Sequence, residues 1–298
     1  MEYHNPVLLH ESVDGLAIKP EGVYVDVTFG GGGHSREILN RLGEKGRLFG
    51  LDQDVDAQAN KIEDERFVLI PENFRYIKRF LRFYGVSKVD GVLADLGVSS
   101  HQFDEADRGF STRFDAELDM RMNQNDRLSA FAVVNKYDEE SLSKVLFNYG
   151  ELRNANAMAK KIVLARDEGK IKTSFQLKEI LKQFLPKAKE HKILAQIFQA
   201  IRIEVNQEID VLKEFLMQMP DVLNEKGRLS VISYHSLEDR LVKRFIRNGL
   251  FEGEPEKDFY GNFEVPLKKV GKMMIPSKKE IKVNNRARSA KLRIATKI

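Results

Sequence analysis

Between Val23 and Asp95, short apolar runs alternate with stretches of helical period, and that rhythm fixes the fold class before any single residue is considered. The runs are "VYVDV" (Val23–Val27), "RLFGLD" (Arg47–Asp52), "FVLIP" (Phe67–Pro71) and "DGVLADL" (Asp90–Leu96). Between them lie "HSREILNRL", "DVDAQANKI" and "YIKRFLRFYG", each with apolar residues at helical spacing. Strands that are apolar almost throughout are buried on both faces, so the pattern predicts a parallel sheet covered by helices on either side. The first part of the chain therefore reads as a doubly wound α/β domain.

The character changes after Asp95. Residues 99–125 are polar and rich in turn formers, and from Leu128 to about Leu194 the spacing is helical with no strand candidate. A long amphipathic run, Phe198–Met219, leads back to a strand, "GRLSVISYH" (Gly227–His235), a helix from Ser236 to Asn248 and two late strand candidates, "FEVPLKKV" and "SAKLRIATKI". The expected organisation is a helical insertion at 104–197, after the fourth strand, between two parts of the α/β domain at 1–103 and 198–298.

"VDVTFGGGGHSREIL" (Val25–Leu39) is the first chemical signal. Four consecutive glycines, Gly30 to Gly33, follow a strand and precede a helix, the order of a nucleotide-binding crossover. An acid suited to ribose hydroxyls stands 20 residues after Gly32, at Asp52. The dinucleotide fingerprint fails at its third glycine, where Ser35 or Arg36 stands, and no GKS or GKT follows. A looser glycine turn with a ribose-binding acid suits a nucleoside lacking a pyrophosphate, and so points to S-adenosylmethionine.

The loop "LADLGVSSHQFDEADRGFS" (Leu93–Ser111) leaves the fourth strand where the strand order should reverse and ligands collect. Asp95 occupies the place where amino-group methyltransferases keep a carboxylate or amide. Such an acceptor helps an exocyclic amine, whose lone pair is delocalised, to attack. The alternative is an acid capping a local turn. Gln102 and His101 could reach adenine or substrate, or face solvent. In "SYHSLEDR" (Ser233–Arg240), Tyr234 could stack on a flipped base and His235 could accept a proton. The competing reading there is structural, with Ser236 and Asp239 at the spacing of a helix N-cap.

The absence of cysteine removes disulfides, Cys-based metal sites and iron–sulfur clusters, and with them radical use of S-adenosylmethionine. Without a thiolate, methylation at carbon 5 of a pyrimidine is disfavoured, leaving transfer to nitrogen or oxygen. The six histidines show no metal-binding spacing, so no metal is expected. Charge is unevenly spread: from Lys268 to Ile298 eleven Lys or Arg face the single acid Glu280, a net of +10, against −6 for the rest. That asymmetry suggests a polyanionic partner or, more blandly, a solvated tail. No apolar run approaches a membrane span and no secretory signal is apparent, so the expected location is cytoplasmic.

Taken in order, "NPVLLHESV", "DVTFGGGGHS", "LDQD", "DGVLADLGVSSHQFDEADRGFS", "LDMRM", "FQAIRIEVNQEI", "SYHSLEDRLVKRF" and "NRARSAKLR" resemble the bacterial RsmH (MraW) methyltransferases across nearly the whole chain. The resemblance implies a Rossmann-like class I methyltransferase fold with a helical insertion. It also implies S-adenosylmethionine-dependent N4-methylation of a cytidine in the decoding region of 16S ribosomal RNA, with that RNA or the small subunit as partner. Motif by motif, cofactor contacts fall on Gly32, Gly33, His34, Asp52, Phe74, Asp95 and Gln102; Phe74 is otherwise only a core aromatic after the third strand. Catalytic roles fall to Asp95 and, from the residues alone, His235. This chain departs from the family pattern at Tyr149–Ile162, at Tyr234 and at Asn285, and its middle helices lack a basic run before "FQAIRI". Oligomeric state stays open. Alternatives that share these features are an N-methyltransferase of another nucleic acid, a nicotinamide-dependent oxidoreductase, and a nucleic-acid-binding protein with an inactive cofactor site.

Overall fold

The structure, a computed structural model, describes residues 6–261 and 263–298, with the side chains at 100, 101 and 106 outside that description. The chain opens with helix α1 (Leu9–Gly15), then β1 (Val23–Asp26), α2 (Gly33–Arg41), β2 (Arg47–Leu51), β3 (Phe67–Ile70), α3 (Ile77–Phe83) and β4 (Val89–Asp95). Six helices follow: α4 (Ser100–Asp104), α5 (Ala130–Lys136), α6 (Glu139–Gly150), α7 (Ala155–Glu168), α8 (Ser174–Ile180) and α9 (Glu190–Asn206). The remainder is α10 (Glu208–Val222), β5 (Leu223–Ser233), α11 (Ser236–Asn248), β6 (Leu267–Met274), α12 (Lys278–Val283) and β7 (Lys291–Lys297). No helix among the described residues is long and apolar enough to cross a membrane.

One compact unit comprises residues 1–97 and 209–298, the other 98–208. In the first, seven strands form a sheet in the order β3-β2-β1-β4-β5-β7-β6. Strands β1 to β5 pair in parallel, and β7 runs antiparallel to both β5 and β6. The sheet is thus mixed where the early pattern alone suggested a parallel one, because β7 returns beside β5. The expected neighbourhood of the first and fourth strands holds: β1 pairs with β4 through Tyr24–Gly91, Val25–Val92 and Asp26–Leu93. Strand order reverses between them, so the turns after β1 and β4 open at the switch point. Tyr24, Val25, Val92 and Leu93 are fully buried, as strands covered on both faces require.

Three local expectations change. The run Phe198–Met219 is not one helix: Gln207 adopts φ +51° and ends α9 before α10 begins. The two halves feed different cores, since Phe198, Ile201 and Val205 pack with Leu146 and Met158, whereas Leu212, Phe215 and Met219 pack with Val92 and Val231. The compact helical unit consequently ends at Glu208, not at 197. "DVDAQANKI" forms only a 3₁₀ stretch, Val55–Asn60, because Ala57 is its one buried residue and an isolated short helix lacks the packing to persist. In "FEVPLKKV" the strand starts only at Leu267; the preceding Pro266 has no N–H to offer a ladder.

In the helical unit, α6 packs along α9 and α7 around Leu142, Leu146, Met158, Ile162, Ile197 and Ile201. Asn206 ties "LDMRM" to α9: its Oδ1 accepts from the Met122 amide at 2.7 Å and its Nδ2 donates to the Met120 carbonyl at 2.8 Å.

Candidate active site

Five of the predicted residues follow the carboxyl ends of β1, β2 and β4 within the α/β unit. Gly32 has φ +75° and caps α2; a Cβ there would lie 2.8 Å from Arg36 and 2.9 Å from Phe29. Its left-handed backbone is one that L side chains adopt only with strain. Gly33 is required for another reason: a Cβ would sit 2.1 Å from Pro6 Cγ. The N-terminal "NPVLLH" motif thus acts on the glycine loop directly, although its Asn5 lies outside the described residues.

Asp52 holds the loop from the other side. Its Oδ2 accepts from the Gly30 amide at 2.7 Å and its Oδ1 from the Asp54 amide at 2.9 Å. Burial pushes its carboxyl up to about 6, against the lowering effect of those two bonds. A carboxylate has about four lone-pair sites, so acceptor capacity remains for ribose hydroxyls. Asp26, which the sequence reading passed over, is fully buried at the end of β1. It accepts from the Ser35 hydroxyl at 2.7 Å and the Thr28 amide at 3.2 Å, and burial pushes it up to about 6 as well. Its signal was available: an acid inside an apolar strand is seldom solvated and needs partners.

Asp95 sits at the centre. Its amide donates to Thr28 Oγ1 at 2.7 Å, tying β4 to the turn after β1. The Tyr234 hydroxyl donates to Asp95 Oδ1 at 2.7 Å, and His34 Nδ1 stands 3.9 Å from Oδ2. Burial pushes the Asp95 carboxyl up to about 6, against the lowering effect of the Tyr234 hydrogen bond. Burial also lowers the His34 imidazole, favouring its neutral form. Its Nε2 lies 3.2 Å from the Val7 carbonyl, which can only accept, so the ring proton belongs on Nε2. Nδ1 then presents a lone pair toward the Asp95 carboxylate. Two acceptors facing each other call for a donor or a cation between them.

Tyr234 was expected to stack on a base; its hydroxyl bond to Asp95 is an additional role that spacing could not reveal. His235, expected as a proton acceptor, instead caps α11. Its Nδ1 accepts from the Glu238 amide at 3.4 Å, and Glu238 in return accepts from the amides of Tyr234 and His235 at 2.9 and 3.4 Å. Nδ1 is thereby engaged in the cap, whereas buried Nε2, 3.2 Å from Glu238 Oε1, makes no hydrogen bond among the described residues. The capping pair is therefore His235 and Glu238, one residue earlier than Ser236 and Asp239. Asp239 instead pairs with Arg293 at 2.7 Å and Lys291 at 3.2 Å, joining "SLEDR" to "SAKLR".

Phe74 follows β3 in a short 3₁₀ turn, partly buried, its ring edge-on to Phe215 at 5.3 Å. Gln102 belongs to the helical unit, where it is buried in α4 and its Oε1 accepts from the Ser99 amide at 3.1 Å. The His101 side chain lies outside the described residues.

The chain is similar over its whole length to proteins that carry a name. The Flavobacterium johnsoniae protein named ribosomal RNA small subunit methyltransferase H is 69% identical over 298 residues, covering 100% of this chain and 99% of that one. The Christiangramia forsetii protein of the same name is 70% identical with the same coverage. A solved rRNA methylase structure from Streptococcus thermophilus aligns over 100% of this chain and 99% of its own at 11% identity, with a TM-score of 0.44, too loose a likeness to add weight. The pattern of the MraW methylase family matches residues 1–298, which excludes the nicotinamide-dependent alternative. With a match over its whole length, the chain belongs to the MraW methylase family and is a methyltransferase.

Proposed function

We propose that this protein transfers a methyl group from S-adenosylmethionine to N4 of a cytidine in the decoding region of 16S ribosomal RNA. Identity of 69–70% over the full chain to proteins named for methylation of small-subunit ribosomal RNA carries the reading. The site's chemistry supports the cofactor: two acceptors, His34 Nδ1 and Asp95 Oδ2, face each other across 3.9 Å and suit a cationic ligand bearing N–H groups. Asp52 and the Gly32–Gly33 backbone would hold the nucleoside and methionine ends, with Phe74 against adenine and Gln102 as a further contact. When bound, S-adenosylmethionine supplies an electrophilic methyl on a sulfonium.

The residues of this chain then position and deprotonate. Asp95 accepts a hydrogen bond from the N4 amine, localising charge on nitrogen for in-line attack, and takes up the proton released. Tyr234 keeps one carboxylate oxygen fixed while the other faces the reacting groups. His235 is not needed as an acceptor, being committed to the helix cap. Exposed Lys268, Lys269, Lys272, Lys278, Lys279, Lys282 and Arg288 supply the charge for RNA, with the helical unit as the second recognition surface. Mass spectrometry of small-subunit ribosomal RNA from cells with and without the protein should find N4-methylcytidine only in its presence; its persistence in the deletion strain would refute the assignment.

A further inference from the structure

A cavity of about 310 Å³ opens beside the end of β5, lined among others by Tyr234, Ile275, Pro276, Ile281, Arg288 and Lys291. All of these belong to the α/β unit. The volume sits at the low end of the ~300–1,000 Å³ of small-ligand clefts, room for one nucleotide. Its walls are apolar at Ile275, Pro276 and Ile281 and cationic at Arg288 and Lys291. Lys291 is already held by Asp239 at 3.2 Å, whereas Arg288 is exposed and has no ion pair among the described residues. Exposed Lys278, Lys279 and Lys282 on α12 extend the positive surface from its rim.

Tyr234 links the cavity to Asp95. Tyr234 lines the cavity and its hydroxyl bonds Asp95, which does not itself line it. A base in the cavity would therefore meet Tyr234 without reaching the carboxylate.

We infer that this cavity receives the RNA nucleotide adjacent to the one methylated, its base against Tyr234, Ile275 and Ile281 and its phosphate on Arg288. The inference rests on the reading that RNA is methylated at Asp95. Occupancy by the neighbour would hold the target in register, since a single contact one nucleotide away fixes where the backbone enters the site. Base–aromatic contact tolerates any base, so the cavity selects for an unstacked strand and not for sequence.

The test uses the full chain and an RNA oligonucleotide spanning the target cytidine, with 5-iodouridine placed one position to either side. Irradiation followed by peptide mass spectrometry should locate the cross-link at Tyr234 or within residues 275–291; a cross-link elsewhere overturns the inference. Arg288→Ala should raise KM for unmethylated small-subunit particles about tenfold, equivalent to about 1.4 kcal/mol. It should also flatten the salt dependence of oligonucleotide affinity by about 0.7 in log–log slope, the value for one single-strand phosphate contact. Arg288→Lys should restore most of that slope, and cofactor affinity by calorimetry should stay within twofold in both variants. A wild-type KM and slope in Arg288→Ala would refute the phosphate contact. If the wild-type protein deposits no N4-methyl group, the methylation reading fails; the cross-link, which needs no turnover, still reports on the cavity.

Discussion

Replacing Tyr234 by phenylalanine removes one hydroxyl and leaves the ring that faces Gly97, where a glycine Cβ would come within 3.2 Å of Tyr234 Cδ2. The hydroxyl donates to Asp95 Oδ1 at 2.7 Å, and burial and the neighbouring carboxylate raise the tyrosine's own ionisation well above 10, so it is a donor throughout the useful pH range. A hydrogen bond to a charged group contributes about 1.5–3 kcal/mol, and each pKa unit corresponds to about 1.4 kcal/mol, so its loss should raise the Asp95 carboxyl by roughly 1–2 units. From about 6, the group would move to neutral or mildly alkaline pH.

The sign follows from which form the bond favours. Tyr234 stabilises ionised Asp95, so the variant holds the proton at higher pH and loses its acceptor there. Single-turnover methyl transfer measured from pH 5.5 to 9.5 should show the acidic limb displaced upward. At pH 7 the rate should fall by roughly twofold to tenfold, and at pH 9 it should approach wild type. A packing defect would lower the rate equally at every pH. An unmoved acidic limb with reduced rate would refute the role given to the hydroxyl, and with it Asp95 as proton acceptor.

Other consequences are equally open to measurement. Asp52→Asn keeps the shape but turns one acceptor into a donor facing the Gly30 or Asp54 amide; calorimetry should show cofactor affinity weakened at least tenfold, with oligonucleotide affinity unchanged. Gly33→Ala must displace Pro6, an overpacking cost of about 1–3 kcal/mol, so the melting temperature should drop by several degrees. Asp26 has a folded pKa of about 6, above its ordinary 3.8, so the folded state binds more protons than the unfolded one between those values and gains stability as pH falls through about 6. The wild-type protein should therefore gain stability relative to Asp26→Asn between pH 8 and pH 5, as read from paired denaturation curves; a constant difference would contradict the burial of that charge.

The elements that were legible in the sequence are those set by local period and turn chemistry. Strands β1 to β4 and the glycine turn follow from near-continuous apolar runs and from a residue type that alone tolerates φ +75°. The break at Gln207 was not legible, because either half of Phe198–Met219 is a good helix and only the existence of two separate cores decides where it bends. The cap of α11 slipped by one residue because histidine is seldom counted as a capping side chain, while Ser236 matched the usual pattern. Of the site, Asp52 and Asp95 showed themselves as acids at strand ends. The bonds that Thr28 and Tyr234 make to Asp95 did not, since hydroxyls carry no periodic signature and meet it across sequence separations of 67 and 139.

The ends of the chain complete the site, which explains why motifs so distant in sequence accompany the glycine loop. Pro6 excludes any side chain at position 33, and the Val7 carbonyl fixes the His34 tautomer that turns a lone pair toward Asp95. The next residue, Leu8, donates its amide to Glu280 at 2.7 Å, the single acid of the basic C-terminal segment. That segment is accordingly no solvated tail: Lys291 and Arg293 are bound to Asp239, and Lys297 donates to the carbonyls of Pro220 and Leu223. Its remaining exposed cations stand on β6, α12 and the turn before β7. Removing Glu280 should therefore loosen His34 through Leu8 and Val7, weakening cofactor binding without touching the cofactor, and Glu280→Gln, which keeps an acceptor for the Leu8 amide, should preserve it where Glu280→Ala does not.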